Sequence, residues 1–408
     1  MTLERLNSSL NRRRLRYAWL AGGLLWGAWL LSLFLGPGYL DLAGQPVGAD
    51  YLQFYAAGRT LLLGDGGRLY DIAYQSQVQQ AIIGDGLTAY HAFITPPFLA
   101  WLFVPFALLS YGLSFALWSL LGGVALWLSL RWLSQTQSDV YFRWAWTWLP
   151  VFTAVSYGQN SLLSLLLLTA TYRLWRDERP WLAGLVCSGL VYKPQLTLGI
   201  GLLWLLGWRK NWRALLGFGM GSLTLAALSF AFLPEASWAY VAFARNVMPI
   251  LPSWAQFPLW HLHTVRGFWQ LLLPTQPAWA DVLSVVVGAV GVVGFLHFWR
   301  RERQNCPLLF AGAVGLTFWV TPHAMIYDWV LLLIPAVLLW EACTAPRDFL
   351  RPLYALVWVA CFLGDPLTYL LWQRWQWAFQ FTVPVLLWGM VETVRRLENG
   401  KRYDKCHP

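Results

Sequence analysis

The sequence predicts an all-α integral membrane protein with about twelve transmembrane helices. Hydrophobic residues make up 58% of the 408 residues and charged residues only 12%, a composition typical of chains that lie largely in lipid. The 29 tryptophans are enough for broad aromatic belts at both membrane surfaces. No separate soluble domain fits beside the apolar runs, so residues 1–408 are expected to form one membrane domain.

Most of the positive charge lies on one side of this pattern. Seven short segments hold 23 of the 29 Lys and Arg residues: 1–16, 131–143, 173–180, 208–213, 299–303, 347–351 and 395–408. Basic loops stay in the cytoplasm, which predicts cytoplasmic termini and extracytoplasmic intervening connections in a bacterial cytoplasmic membrane. The net charge of +10 therefore indicates topology and contact with anionic membrane lipid, and no nucleic-acid partner is expected.

Twelve apolar runs are interpreted as spans. They cover 17–36, 111–131, 142–157, 160–176, 181–192, 195–208, 212–233, 279–299, 305–320, 325–342, 350–366 and 376–394. Segment 94–110 is also apolar, but counting it as a span would reverse the orientation of every later loop. It is interpreted as a re-entrant or interfacial helix, or as an extension of the next span, which leaves about 11 to 13 transmembrane helices.

Two predicted outer loops, 37–94 and 234–278, are too long to be simple connections, and long loops in a compact protein are usually functional. In the first loop, the run DYLQFYAAGRTLLLG predicts a helix at the membrane interface that ends at Gly64. A second short helix is predicted over 72–83. The second loop is rich in Trp and Pro and carries several basic side chains.

Polar residues that the spans do not need gather on the outer side. They are Asp50, Arg59, Tyr70, Asp71, Gln159, Asn160, Lys193, Gln195, Arg266, His323, Tyr327 and Asp328. These residues are the candidates for binding a polar substrate. Gln159 and Asn160 also fit a plain turn between helices. Lys193 either snorkels to the membrane surface or supplies the cation that a phosphate-bearing substrate requires.

Asp50 has two interpretations. Asp50 and Gln53 have the spacing of a capping box, so Asp50 would cap the helix that follows. Alternatively, Asp50 is a general base at the membrane surface, a role that suits a partly buried carboxylate. Asp71 and Asp328 have similar alternatives, either as helix caps or as partners of a nearby Arg.

The histidines also leave alternatives open. His323 follows Pro322 at the outer end of a span, where a histidine is either a hydrogen-bonded structural residue or a catalytic one. His261 and His263 are two residues apart, a spacing that chelates a metal only on a strand. No third ligand is evident in the sequence, so neither a metal nor another cofactor is expected.

Several motifs, in order, carry a family resemblance. They are GADYLQFYAAGRTLLLGDGGRLYD, FITPPFLAWLFVPFALLS, YGQNSLL, AGLVCSGLVYKPQL and TPHAMIYDWVLLLIPA. In this order and spacing, from about residue 45 to residue 340, the chain resembles glycosyltransferase family 87. The sequence departs from the family pattern at Thr95, where an aromatic residue commonly precedes Pro-Pro, so sugar stacking is not expected there.

The resemblance implies a GT-C-type fold and an enzyme that uses a polyprenyl-phosphate sugar. It places Asp50 at the position of an acidic base in the first outer loop, and Lys193 and His323 at polar positions of the active-site cavity. The expected reaction is an inverting transfer, with mannose as the first candidate sugar, to a lipid-linked or envelope glycan on the extracytoplasmic face.

In this hypothesis Asp50 takes the proton of the acceptor hydroxyl, and His323 positions or stabilises the leaving phosphate. Lys193 neutralises that phosphate together with one of Arg59, Arg68 or Arg266, and a groove beside 94–110 holds the prenyl chain. Two alternatives remain. One is a transporter or flippase of lipid-linked glycans, and the other is a polymerase or ligase of the O-antigen type, with its chemistry around His261 to Arg266.

Overall fold

The computed structural model describes residues 7, 10, 12–254, 257–303, 305–342 and 347–404. Over these ranges the protein is helical, and its β-structure is limited to two isolated bridges, Leu40 with Pro46 and Leu262 with Met325. The all-α prediction is confirmed.

The described residues form eighteen α-helices. In chain order they are α1 (Arg12–Leu35), α2 (Tyr51–Leu62), α3 (Ile72–Ile83), α4 (Phe98–Ala107), α5 (Tyr111–Leu133), α6 (Ser138–Ala145), α7 (Leu149–Ser156), α8 (Ser161–Arg176), α9 (Pro180–Ser188), α10 (Leu198–Leu206), α11 (Trp208–Phe232), α12 (Pro234–Asn246), α13 (Val265–Leu272), α14 (Pro277–Arg301), α15 (Cys306–Val320), α16 (Leu333–Ala342), α17 (Arg347–Trp375) and α18 (Thr382–Asp404). Short 3₁₀ helices cover Gly66–Arg68, Gly189–Tyr192, Pro194–Thr197, Met248–Ser253, Leu259–His261 and Ile326–Leu332.

Five of the described helices, α1, α5, α11, α14 and α17, are long and apolar enough to cross a membrane. The pair α7 and α8 would make a sixth span, although the two helices are bent by 120° at their junction. Shorter apolar helices occupy Phe98–Ala107, Pro180–Tyr192, Pro194–Leu206 and Cys306–Val320. The structure is that of an integral membrane protein, and the count of twelve spans stays a prediction.

The segment 180–232 shows how the helices approach one another. Helix α9 packs along α11, and Gly184 of α9 lies against the backbone of Ala214. Gly217 of α11 lies in the same way against the carbonyl of Trp181. A Cβ atom at either glycine would overlap that backbone, so small residues bring these two helices together, as is common in membrane bundles.

Helix α2 is covered by protein over most of its surface, whereas its expected place at the membrane interface stays a prediction. Nine of its twelve residues are buried. It packs on α4, where the rings of Phe54 and Phe103 stack at a centroid distance of 4.9 Å. Gly58 allows the contact, because a Cβ there would meet the carbonyl of Phe103. The apolar pattern of α2 is therefore explained by contact with protein, and this packing fixes the position of the residue before the helix, Asp50.

Candidate functional site

Asp50 lies where the segment before α2 meets the end of α7. The backbone N–H groups of Asp50 and Tyr51 both donate to the carbonyl oxygen of Tyr157, at 3.0 and 2.9 Å. Asp50 has helical backbone angles (φ −82°, ψ −21°), and its side chain makes no capping hydrogen bond. The capping interpretation of Asp50 is wrong, because the carboxylate turns away from the helix that it precedes.

The carboxylate of Asp50 is bound by Gln159. Nε2 of Gln159 donates to Oδ2 of Asp50 at 2.8 Å. The turn before Gln159 depends on Gly158, whose φ of +66° favours glycine. A Cβ at Gly158 would also overlap the side chains of Tyr51 and Phe115. The tight turn was predicted correctly, and in addition it carries a side chain that orients Asp50.

Lys193 continues this network to Asp328. Its Nζ donates to Oε1 of Gln159 at 3.4 Å and to Oδ1 of Asp328 at 2.8 Å. The side chains of Lys193 and Asp328 are 13% and 1% exposed, so the pair is buried and Lys193 does not snorkel to the surface. Ser161 also donates to Oδ1 of Asp328, at 2.7 Å. Four residues from distant parts of the chain, Asp50, Gln159, Lys193 and Asp328, thus form one hydrogen-bonded network.

The charge of Lys193 is already partly balanced in this network. An ammonium group has three donors, and two of them are directed at Gln159 and Asp328. One N–H remains for a substrate oxygen. The ammonium also lies 5.0 Å from the ring centroid of Tyr327, which adds a cation–π contact. Lys193 can therefore contribute one hydrogen bond and a shared positive charge to an anionic group, and it is not an isolated cation.

Asn160 and His323 border the network. Asn160 is fully buried, and neither its amide nitrogen nor its amide oxygen has a partner among the described residues. His323 is half-buried beside Phe257, with a ring-centroid distance of 6.2 Å. Burial lowers the pKa of His323, an effect that the nearby charge of Asp328 opposes. A neutral His323 can donate one hydrogen bond but carries no charge for a phosphate.

His91 is a residue that the sequence analysis missed. The side-chain amide of Gln79 makes two hydrogen bonds to the backbone of His91. Its Oε1 accepts from His91 N at 3.0 Å, and its Nε2 donates to His91 O at 2.6 Å. Nε2 of His91 is buried without a partner among the described residues. Burial lowers the pKa of His91, and the charge of Asp50 opposes this shift. The only signal in the sequence is a histidine inside the apolar stretch before Pro96-Pro97, which periodicity does not connect to Asp50.

Among the described residues, the predicted arginines make no hydrogen bond or ion pair with the four residues of the network, although the charge of Arg266 contributes to lowering the pKa of His323. Arg59 is exposed in the last turn of α2, roughly 14 Å along the helix axis from Asp50 at 1.5 Å per residue. Arg68 pairs with the exposed carboxylate of Asp71 at 3.3 Å. Arg266 pairs with Asp281 at 2.8 Å. Two of the three arginines considered for the phosphate therefore already have carboxylate partners.

The remaining predicted residues have local roles in this structure. Asp71 caps α3 by accepting from the backbone N–H of Tyr74 at 3.1 Å, as its capping interpretation predicted. The hydroxyl of Tyr70 donates to the carbonyl of Thr95 at 2.6 Å, and burial raises its pKa. Gln195 lies in the 3₁₀ turn Pro194–Thr197, two residues after Lys193.

His261 and His263 share a carboxylate that the sequence did not connect to them. His261 Nδ1 and His263 Nε2 both lie 2.9 Å from Oδ1 of Asp365, which α17 contributes. Nδ1 of His263 lies 2.8 Å from Oγ1 of Thr382. Among the described residues, no group of three or more His, Cys, Asp and Glu side chains has a geometry that could hold a metal ion.

A large apolar cavity lies in another part of the protein. Its volume is about 1060 Å³, and residues of α1, α14, α15, α16, α17 and α18 line it. The lining includes Trp148, Trp319 and Trp358, together with Arg14 and Arg351. It is distinct from the groove expected beside 94–110, which stays a prediction. Its composition suits a hydrocarbon chain.

The geometry of the network suits proton abstraction next to a binding site for a polar group. Gln159 occupies one carboxylate oxygen of Asp50, and Asp50 makes no further side-chain hydrogen bond within the described ranges. The other oxygen is available to accept a proton from a hydroxyl. Lys193 and the half-buried His323 supply donors nearby.

Comparison with known proteins shows that a family model and a curated protein match this chain. The family model of glycosyltransferase family 87 matches residues 93–322. A Mycobacterium tuberculosis (strain CDC 1551 / Oshkosh) protein described as polyprenol-phosphate-mannose-dependent alpha-(1-2)-phosphatidylinositol pentamannoside mannosyltransferase is 27% identical over 306 residues. That match covers 70% of this chain and 65% of the relative. No solved structure matches. Gln159 and Lys193 lie within the range matched by the family model, whereas Asp50 and Asp328 lie outside it.

Proposed function

This chain belongs to glycosyltransferase family 87, and we propose that it is a membrane enzyme that transfers a sugar from a polyprenyl-phosphate donor. Mannose is the first candidate, because the curated relative is described as dependent on polyprenol-phosphate-mannose. The acceptor is a hydroxyl group of a lipid-linked or envelope glycan. The observation that carries the proposal is the hydrogen-bonded network that joins Asp50 to Lys193 and Asp328 within a member of this family.

Asp50 acts as the general base of an inverting transfer. The acceptor oxygen attacks the anomeric carbon, and its proton passes to the free oxygen of Asp50. The bond from the anomeric carbon to the phosphate oxygen breaks, and the polyprenyl phosphate leaves with the electron pair. Because phosphate is a good leaving group, the protein mainly has to supply the base and stabilise the developing negative charge.

Lys193 and His323 serve the phosphate side of the reaction. The remaining N–H of Lys193 donates to a phosphate oxygen, and Gln159 and Asp328 hold the ammonium in place. His323, which burial keeps neutral, donates one hydrogen bond. Donors fixed before the reaction stabilise charge without the cost of reorganisation. Asn160 presents a buried amide without a partner among the described residues, and a sugar hydroxyl can satisfy it.

The site faces the extracytoplasmic side of a bacterial cytoplasmic membrane, with both termini in the cytoplasm and about twelve spans. The charge distribution of the connections supports this orientation. The apolar cavity of about 1060 Å³ binds the hydrocarbon chain of a lipid substrate. Family membership favours a transferase over the transporter and the polymerase or ligase that the sequence left open.

The test is a transfer assay with purified protein in proteoliposomes. Radiolabelled polyprenyl-phosphate mannose and a nucleotide-diphosphate mannose are compared as donors, with bacterial glycolipid extract as the acceptor. Transfer from the polyprenyl-phosphate donor alone is expected. Transfer from the nucleotide sugar only, or movement of lipid-linked glycan across the bilayer without any transfer, would contradict the proposal.

A further inference from the structure

His261 is a rigidly held and buried imidazole next to the network. Its side chain is 4% exposed, and its Nδ1 lies 2.9 Å from Oδ1 of Asp365. The 3₁₀ helix Leu259–His261 supplies the histidine and the long helix α17 supplies the carboxylate. Two separate elements of the fold therefore fix the orientation of this ring.

The hydrogen bonds around Asp365 determine which nitrogen of His261 is free. A carboxylate only accepts, so His261 Nδ1–H and His263 Nε2–H both donate to Asp365. His263 Nδ1 then accepts from the hydroxyl of Thr382 at 2.8 Å, which leaves both nitrogens of His263 paired. With its proton on Nδ1, a neutral His261 presents Nε2 as a hydrogen-bond acceptor.

Nε2 of His261 is buried and has no partner among the described residues. Buried polar atoms are nearly always paired, so an atom left without a partner in the described part of the chain marks a position where a ligand can bind. His263 shares the same carboxylate and is equally buried, yet both of its nitrogens are satisfied by protein. The difference between the two histidines indicates that only His261 is available to a ligand.

The ring of His261 lies against two tyrosines that also border the Asp50 network. Its centroid is 5.4 Å from that of Tyr157 and 5.8 Å from that of Tyr327. The carbonyl of Tyr157 binds the backbone of Asp50, and the ring of Tyr327 contacts the ammonium of Lys193. His261 is thus linked to Asp50 through Tyr157 and to Lys193 through the ring of Tyr327.

The chemistry of this position selects the kind of ligand. A lone pair beside the carboxylate of Asp365 repels an anion, so the nitrogen is unsuited to phosphate. A hydroxyl group, by contrast, donates one hydrogen bond to it. Aromatic rings surround the site, and the ring centroid of Trp260 lies 4.7 Å from that of His261. Aromatic faces suit the C–H surfaces of a sugar.

We propose that Nε2 of His261 accepts a hydrogen bond from a sugar hydroxyl and so forms a subsite for the glycan part of a substrate. This inference rests on the proposed function, since it assumes a sugar substrate at the Asp50 network. The hydroxyl belongs either to the transferred sugar or to the sugar of the acceptor. Asp365 is the positioning residue that holds the ring.

The test uses a series of monodeoxy donors and a series of monodeoxy acceptors, each missing one hydroxyl group. For each compound, the penalty is the ratio of kcat/KM for the parent to kcat/KM for the deoxy compound. In the wild type, one compound is expected to show a penalty of roughly tenfold, as for a lost hydrogen bond. The series that contains this compound identifies the substrate that carries the hydroxyl.

Three variants locate the partner of that hydroxyl. His261→Asn keeps a donor near the position of Nδ1 and removes Nε2, so its penalty for the same hydroxyl is expected to fall to about onefold. His261→Gln places an amide oxygen near the position of Nε2 and is expected to retain a penalty. His263→Asn is the matched control on the same carboxylate and is expected to keep the full wild-type penalty.

Each readout is a ratio within one variant, so a lower yield of folded protein does not affect it. A wild-type penalty that persists in His261→Asn, or that His263→Asn removes equally, would overturn the inference and leave His261 as a structural residue with a buried water. If a variant is too slow for kinetics, equilibrium binding of the same deoxy series supplies the ratio. No transfer by the wild type would instead refute the proposed function.

Discussion

Nε2 of Gln159 donates a hydrogen bond to Oδ2 of Asp50 across 2.8 Å, joining residues that are 109 positions apart in the chain. This bond leaves one oxygen of Asp50 free and fixes its direction. Gln159 is itself held by the turn at Gly158 and by Lys193. The base and the cation of the proposed reaction are therefore positioned by the same amide side chain.

Gln159→Ala is expected to lower the transfer rate by roughly 10- to 100-fold, because a hydrogen bond to a charged group contributes about 1.5–3 kcal/mol. The loss should appear mainly in kcat, because Gln159 makes its shorter hydrogen bond to Asp50, and Asp328 still holds Lys193 at 2.8 Å when Gln159 is removed. Gln45→Ala replaces an exposed glutamine in the segment before α2 and is the control, expected to retain wild-type kinetics. Equal effects of the two changes would argue against the positioning role.

The buried pair of Lys193 and Asp328 is expected to behave as a coupled unit. Lys193→Met leaves the carboxylate of Asp328 buried without its cation and should cost about 3–5 kcal/mol of unfolding free energy. Combining it with Asp328→Leu removes the uncompensated charge, so the double variant should be less destabilised than the sum of the single variants. Unfolding in detergent, followed by tryptophan fluorescence, measures this cycle, and simple additivity would show that the pair is not coupled.

Gly184→Ala is expected to disrupt the packing of α9 on α11, because the added Cβ overlaps the carbonyl of Ala214. The loss of thermal stability should be clear despite the higher helix propensity of alanine. Gly219→Ala is the matched control in α11, where a Cβ meets no atom within 4 Å. The control should be neutral or more stable by up to about 1 kcal/mol. Similar melting temperatures for the two variants would contradict the close approach of the helices.

The protein is expected to lose stability as the pH falls below about 6.5. Burial lowers the pKa of His91, His263 and His323 from the ordinary value of 6.5. Below pH 6.5 the unfolded state therefore binds more protons than the folded state, so acid favours unfolding. Above this pH the contribution of these histidines to the unfolding free energy is fully present.

Melting temperatures at pH 7.5 and pH 5.5, roughly one unit on either side of the reference value, measure this dependence. His263→Asn should reduce the difference, because it removes one buried histidine. A melting temperature that rises on acidification would show that the signs of the pKa shifts are wrong.

Local signals in the sequence predicted local structure well. Asp71 and Gly84 mark the two ends of α3, and the predicted helix over 72–83 has the observed bounds. The same kind of signal failed at Asp50, because the spacing to Gln53 does not report the backbone angles of the cap residue. The partner of the Asp50 side chain is Gln159, which lies 109 positions later in the chain, so no local pattern connects the two residues.

Long-range contacts set the rest of the site. His261 and His263 were noticed in the sequence, but Asp365 is more than 100 residues away on the long helix α17. His91 lies in an apolar stretch and has no pattern that connects it to Asp50. The helix α2 was expected at the membrane interface, since its apolar side does not reveal whether lipid or α4 covers it. Family motifs identified Asp50 and Lys193, and only the fold shows that Gln159 connects them.

The central claim is that Asp50 is the base of a sugar transfer, and a single-turnover assay of Asp50→Asn tests it most directly. Asp71→Asn is the matched control, because it makes the same chemical change at an exposed carboxylate where asparagine caps a helix about as well. With polyprenyl-phosphate mannose as donor, we expect Asp50→Asn to lower the rate by at least about 100-fold at an unchanged melting temperature, and Asp71→Asn to keep the wild-type rate. Transfer by Asp50→Asn at the wild-type rate would contradict the account.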